Sequence, residues 1–189
     1  MRLHSKDLIL REYTFTDCDA VHTYGTDEDV LKYMLWGPNT LFETKQFIAL
    51  SIFKSLQEPR DEYGLAIIEK KSNQLIGGVS LSLKGTKAEI GWILNRAHWG
   101  KGYAFQAALE ILTFGFNVLK CDTIEATCDT ENHKSYQLMR KLGMSLISTE
   151  SGVRPARDIS QKNRDQYRYE IDRKRFNESL ERGDYARIV

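Results

Sequence analysis

A chain of 189 residues is long enough for one domain with a substantial core. Its formal net charge is +1, with 27 Lys and Arg interspersed among 26 Asp and Glu, which argues against a nucleic-acid partner. Cys18, Cys121 and Cys128 are widely spaced and form no C-x-x-C pair, so neither a disulfide framework nor a zinc site is expected, no metal is implied, and a reducing cytoplasm is the natural setting.

The amino terminus leads into an apolar run that Arg11 and Glu12 interrupt, too short for a signal-peptide core. No later run is long enough to span a bilayer, so a soluble intracellular protein without a membrane partner is expected. Residues 8–11 (Leu-Ile-Leu-Arg) read as a first strand. Two helical patterns follow over roughly 16–32 and 41–56, broken by Trp36-Gly37-Pro38-Asn39. Residues 65–68 and 75–81 look like paired strands around the polar turn 70–73, and a turn at 84–87 leads into a third strand over 88–94. The middle of the chain is therefore expected to be an antiparallel meander.

Next comes His98-Trp99-Gly100-Lys101-Gly102-Tyr103-Ala104. Two glycines let the backbone turn tightly and expose several N–H groups at a helix start, where orphan donors and the helix dipole favour an anion such as a phosphate. An ordinary tight turn gives the same pattern. Ala104, Ala108, Ile111, Leu112, Gly115, Phe116 and Leu119 then repeat with helical spacing, while Gln106 and Glu110 fall off that stripe. A strand over 123–128 completes a β-turn-α-β unit, which predicts a right-handed crossover between parallel strands. A second helix starts near Asn132, with Ser135, Leu138, Met139 and Leu142 on its inner face and Gly143 as its left-handed cap. Strands are expected over 144–149 and 166–171, joined by a polar, basic and mobile connection, 150–165. A charged tail from Arg173 has helical spacing around Phe176 and Leu180.

In this order the parts resemble the GNAT (GCN5-related N-acetyltransferase) superfamily, and within it the branch that acetylates the amino termini of ribosomal proteins. Leu8-Ile9-Leu10-Arg11-Glu12 matches the opening strand and Ala88-Glu89-Ile90-Gly91-Trp92-Ile93-Leu94 the central strand. Trp99-Gly100-Lys101-Gly102-Tyr103-Ala104 matches the acyl-CoA pyrophosphate loop, and Asn132-His133-Lys134-Ser135 with Lys141-Leu142-Gly143-Met144 the segment beside the pantetheine arm. The branch usually has Glu at the position of Gln106 and Phe at that of Met144. The resemblance implies an α/β (α+β) acyl-CoA N-acyltransferase fold in one domain over 1–189, a mixed central sheet with an antiparallel amino-terminal meander and a βαβ cofactor-binding core. It implies acetyl-CoA as co-substrate and a primary amine as acceptor, above all a protein amino terminus, and it is compatible with a homodimer.

Roles follow from the same resemblance. Trp92, Ile93 and Leu94 would offer backbone groups to the pantetheine amides, and one of their N–H groups would polarise the thioester carbonyl. Many members place a Tyr four residues before the helix-ending Gly to protonate the leaving thiolate. Here that residue is Met139, and Ser135, one turn earlier, either donates to the sulfur or is a small packing residue. Met34 and Trp36 would lie over the acceptor site, where Trp36 either stacks on the acceptor or plugs the core, the plug being the simpler reading. From the residues themselves, Glu89 alternates with Ile90 and faces the cleft if Ile90 faces the core, so it is the candidate base; a solvated strand carboxylate is the alternative. Asn132 can cap its helix through the carbonyl oxygen while its NH2 reaches a ligand. His98, His133 and Tyr136 are expected at surface or structural positions. Two other functions stay open: acetylation of a small amine such as an antibiotic, polyamine or amino acid, and acyl-CoA sensing without turnover.

Overall fold

The computed structural model describes residues 1–156 and 162–186. Its eight strands form one mixed sheet: β1 (Arg2–His4), β2 (Leu8–Glu12), β3 (Glu62–Glu69), β4 (Gln74–Lys84), β5 (Lys87–Leu94), β6 (Thr123–Asp129), β7 (Ser145–Arg154) and β8 (Arg164–Asp172). The spatial order is β1-β2-β3-β4-β5-β6-β8-β7, antiparallel everywhere except between β5 and β6. The helices are α1 (Cys18–Gly25), α2 (Glu28–Leu31), α3 (Leu41–Ser55), α4 (Tyr103–Asn117), α5 (His133–Lys141) and α6 (Arg173–Glu181). The mixed sheet, the meander and the βαβ core expected from the sequence are all present.

Both faces of the sheet are covered, which is why β3 reads as a continuous apolar run rather than an alternating one. Leu65 and Ile67 join Leu8 and Leu10 in a large cluster with Ile111 and Leu112 of α4. Ala66 and Ile68 point the other way, into a smaller cluster with Val21 and Tyr24 of α1 and Ile48 of α3. The tail closes the larger cluster. Phe176 is fully buried, its ring 4.9 Å from Phe116 and 5.8 Å from Tyr185, and the Tyr185 hydroxyl donates to the Leu142 carbonyl at 3.0 Å. The tail therefore fixes the end of α5; Leu180, expected on the same stripe, is 43% exposed.

Several expectations change. β1 was not legible, since its three residues alternate without an apolar run. The helix expected over 16–32 divides into a 3-10 turn, α1 and α2, because Asp27 is extended and its Oδ1 accepts from Asp29 N at 3.0 Å, which starts a new helix. Gln106 is only 5% exposed: its Oε1 accepts from Ser5 Oγ at 3.1 Å and Asp7 N at 3.0 Å, and its Nε2 donates to Asp7 Oδ2 at 2.8 Å. The β1–β2 turn covers that side of α4, and a Glu there would lose the donor and oppose Asp7. The expected connection 150–165 is strand over 150–154 and 164–165, with Glu150 opposite Gln166 and Arg154 opposite Arg164. Its mobile character was expected over a stretch whose residues 157–161 lie outside those described.

β4 and β5 run together from Lys84–Lys87 to Gly77–Leu94. At the far end Gly77 carries a close approach: a Cβ there would lie 2.2 Å from the Ile93 carbonyl oxygen and 2.7 Å from Leu94 Cδ2. Gly77→Ala is expected to lower unfolding free energy by about 1–3 kcal/mol, as overpacking does, and to displace the Ile93 backbone. Urea unfolding of the variant reads this directly; an unchanged midpoint and m-value refute it.

Candidate active site

β5 pairs with β4 along its whole length but with β6 only from Lys87 to Glu89, while β6 stays with β8 as far as Asp129. The two parallel strands part beyond Glu89, and the facing edges of residues 90–94 and 126–129 have no strand partner. A cavity of about 620 Å3 opens at this parting. Ile90 and Ala88 are buried in the larger cluster, so Glu89, between them on the strand, faces the other way and lines the cavity. Its Oε1 accepts from Thr127 Oγ1 at 3.1 Å across the parting strands.

The cavity brings together Glu89, Trp92, Ile93, Asn132, Ser135, Met34 and Trp36 of the expected site residues. Asn132 caps α5, its Oδ1 accepting from Ser135 N at 3.2 Å, which leaves the amide NH2 for other partners. The buried Cys128 thiol lines the cavity with Ser135; burial pushes that thiol up to about 11, Ser135 pulling the other way. Trp36 is 42% exposed, so it is no core plug. The residues following α2 carry it to the cavity wall instead.

Leu94 and Trp99 do not line the cavity. The Leu94 side chain is core, and its carbonyl accepts from Trp99 Nε1 at 3.0 Å. The Trp99 ring lies under Lys134 Nζ, 3.9 Å from its centroid, so it braces the start of the glycine turn against α5. The turn, residues 100–104, also lies outside the cavity. Gly100 and Gly102 both have φ +76°, and an added Cβ at either would meet nothing within 4 Å. Gly102 is the cap of α4, whose first turn-closing bond runs from Gln106 N to Gly102 O at 3.1 Å, so the amides of Tyr103, Ala104 and Phe105 precede any helical partner. These donors over open space fit a pyrophosphate. The Tyr103 hydroxyl donates to Glu69 Oε1 at 2.6 Å, fixing the turn to the end of β3, and Lys101 is exposed beside it. His98 and His133 stand outside the cavity, as does Tyr136, whose ring packs edge-on against Tyr167.

Among the cavity residues that the sequence reading did not single out are Thr127 and Arg154. Thr127, which holds Glu89, was signalled only by its alternation with Glu125. Arg154 was hidden in the supposed connection, and only the alternation of Glu150, Gly152 and Arg154 marks it as strand. Among the described residues, no group of three His, Cys, Asp or Glu side chains converges on a point where a metal could bind, and no helix is long and apolar enough to cross a membrane.

Comparisons with known proteins agree with this geometry. Residues 7–145 match the model of the acetyltransferase (GNAT) domain. The chain is 35% identical over 146 residues to YnaD, an uncharacterised N-acetyltransferase of Bacillus subtilis, covering 76% of this chain and 82% of that one. It is 26% identical to the spermidine N(1)-acetyltransferase of Escherichia coli over 72% of each chain. A solved GNAT-family acetyltransferase of Bacillus anthracis superposes with a TM-score of 0.80 at 32% identity, over 91% of this chain and 98% of that one.

Gly102→Val places a β-branched side chain where phosphate oxygens must approach, at a φ that such residues avoid. Acetyl-CoA affinity is expected to fall tenfold or more, about 1.4 kcal/mol. Calorimetry on variant protein with a native melting profile checks it, and parental affinity there removes the turn from the binding site.

Proposed function

The chain belongs to the GNAT acetyltransferase family, and from that premise we propose that it moves the acetyl group of acetyl-CoA to the α-amino group at the end of a peptide or protein, a ribosomal protein being the acceptor that the sequence resemblance suggests. The observation that carries this reading is the meeting of an unpaired β5 edge, Ser135 and Glu89 in one cavity. The thioester supplies an activated acetyl group; the chain supplies everything that orients it. The amides of residues 100–105, with Lys101 nearby, hold the pyrophosphate. The free edge at Trp92, Ile93 and Leu94 pairs with the amides of the pantetheine arm, Asn132 reaching it from the other side. One of those strand N–H groups faces the thioester oxygen, an interaction whose removal costs about 3–4 kcal/mol in comparable oxyanion holes.

The acceptor must arrive with a lone pair. Glu89 attracts the ammonium form and takes its proton, directly or through water, while Ser135 donates to the departing sulfur. Met34 and Trp36 close over the acceptor. Of the carboxylates lining the cavity, Glu62 is paired with Lys54 at 2.5 Å, and Glu43 accepts from the Thr40 amide and hydroxyl at 2.7 and 2.8 Å in the capping box of α3. Glu89 has no ion pair among the described residues. Three free cysteines suit a reducing cytoplasm, and a homodimer is compatible with the reading.

Thiol release from acetyl-CoA, followed over a library of peptide amino termini and a library of small amines, tests the proposal. Peptides are expected to be the better acceptors. Spermidine turned over faster than every peptide would move the enzyme to the small-amine class.

Ser135→Ala should lower turnover by roughly 10²-fold, the low end for general acid catalysis, with acetyl-CoA affinity nearly unchanged. Normal turnover would leave Ser135 as packing. Glu89→Gln keeps the shape and removes the charge. Its turnover is expected to fall near neutral pH and to recover in part at high pH, where the acceptor loses its proton unaided. A pH–rate profile that overlays the parent's in height and shape rules Glu89 out as the base.

A further inference from the structure

Besides the exposed Glu43, which is engaged in the capping box of α3, two opposite charges line this cavity without an ion-pair partner among the described residues. One is Glu89, held only by the Thr127 hydroxyl. The other is Arg154, near the end of β7. Its Nη2 donates to the Tyr33 carbonyl at 3.0 Å and its Nη1 to Gln166 Oε1 at 3.1 Å, while its Nε is buried with no acceptor. The obvious counter-ion, Asp129, is 1% exposed and already paired with Arg164 Nη1 at 2.7 Å. Burial draws the Arg154 pKa below the ordinary guanidinium value, outweighing the fields of Asp129 and Glu89.

A guanidinium carries five N–H donors, and among the described residues only two groups accept from it. Taking such a charge partly out of water without an anion is costly unless a ligand completes it. The phosphates of acetyl-CoA do not answer this need, because the turn that fits them, residues 100–104, lies outside the cavity. The N–H groups left over on Nη1 and Nη2, rather than the buried Nε, are the donors available to a second substrate in the cavity.

Resting on the acetyl-transfer reading, we propose that Arg154 and Glu89 together recognise an α-aminoacyl group: Glu89 takes the ammonium and Arg154 donates to the oxygen of the adjoining carbonyl or carboxylate. A chain amino terminus and a free amino acid share this chemistry, an amine one carbon away from a carbonyl carbon. Alkylamines and polyamines lack the oxygen. Arg154 is thereby a specificity-determining residue, and its bond to the Tyr33 carbonyl sets its reach beside Met34 and Trp36.

The test uses matched trios built on alanine, serine and leucine: the free amino acid, a peptide beginning with it, and the corresponding decarboxylated amine. For the parent enzyme, kcat/KM for the peptide or the amino acid should exceed that for the decarboxylated amine at least tenfold, and the better of the two identifies the source of the oxygen. Arg154→Ala should abolish this gap through the KM of the aminoacyl acceptor and leave the KM of acetyl-CoA unchanged. Arg154→Lys should restore part of the gap. Equal use of all three acceptors by the parent overturns the proposal. So does an equal loss on all three in Arg154→Ala, which marks a brace for the residues after α2. Calorimetric binding of each trio to the CoA-loaded protein reports the same tenfold gap without turnover, and equal affinities there also overturn it. Absence of thiol release with every amine, beside a preserved binding gap, would instead count against the wider catalytic reading.

Discussion

The parting of β5 from β6 is the constraint on which the rest depends. β6 is held by β8 through seven consecutive residue pairs to Asp129, and β5 by β4 through eight, so neither strand can follow the other once the sheet twists between them. Backbone N–H and C=O groups left along the freed edges must find water or a ligand. A straight row of such groups is suited to an extended chain bearing its own amides, which pairs as an added strand would. The βαβ crossover then fixes the surroundings. α4 must begin beyond the open end of β5 and α5 beyond that of β6, so the glycine turn comes to one end of the opening and Asn132 with Ser135 to its side.

The acceptor half of the cavity is built on the opposite face, by the elements between β2 and β3. Arg11 on β2 grips Asp17 with two hydrogen bonds of 2.7 Å, which seats the start of α1. Burial opposes the Asp17 charge, but the Arg11 and Thr14 bonds prevail and hold its pKa below the usual carboxylate value. Between these anchors Tyr13 turns inward, and a Cβ on Gly78 would meet its hydroxyl at 2.3 Å. Burial pushes Tyr13 up to about 12, so the hydroxyl stays neutral beside Tyr24. The result is an aromatic wall in which Glu62 is paired with Lys54 and Glu43 is held in a capping box, while Glu89 and Arg154, of opposite sign, have no ion-pair partner among the described residues.

What the sequence made legible was local. The stripe on α4, the Asn132 cap and the strand alternation around Glu89 depend on spacings of two to four residues, and each stands where expected. Gln106, Arg154 and Tyr33 depend on which distant segments are brought together. Gln106 reaches residues 101 and 99 positions away, and Arg154 crosses 121 positions to Tyr33. No periodicity encodes such pairs. Polarity also misled: a Gln off the apolar stripe and a run of Ser, Gly and Arg read as solvent-facing, although one is buried under a turn and the other lies in a strand. Asp27 is the converse case, a capping side chain inside a helical pattern whose signal was present but weaker than the periodicity around it.

The same cavity presents a chemical hazard that its packing answers. On the proposed reading an acetyl thioester held beside Ser135 would also lie near the Cys128 thiol, and a thiolate there would take the acetyl group by exchange in place of the amine. Cys128 is 2% exposed, and burial pushes its pKa up to about 11, which keeps the thiol protonated at neutral pH. A protonated thiol is a weak donor and a poor nucleophile. The low polarity that suppresses the thiolate also strengthens the few charge interactions left in the cavity. On that reading one wall discourages transfer to sulfur while Glu89 favours an acceptor nitrogen.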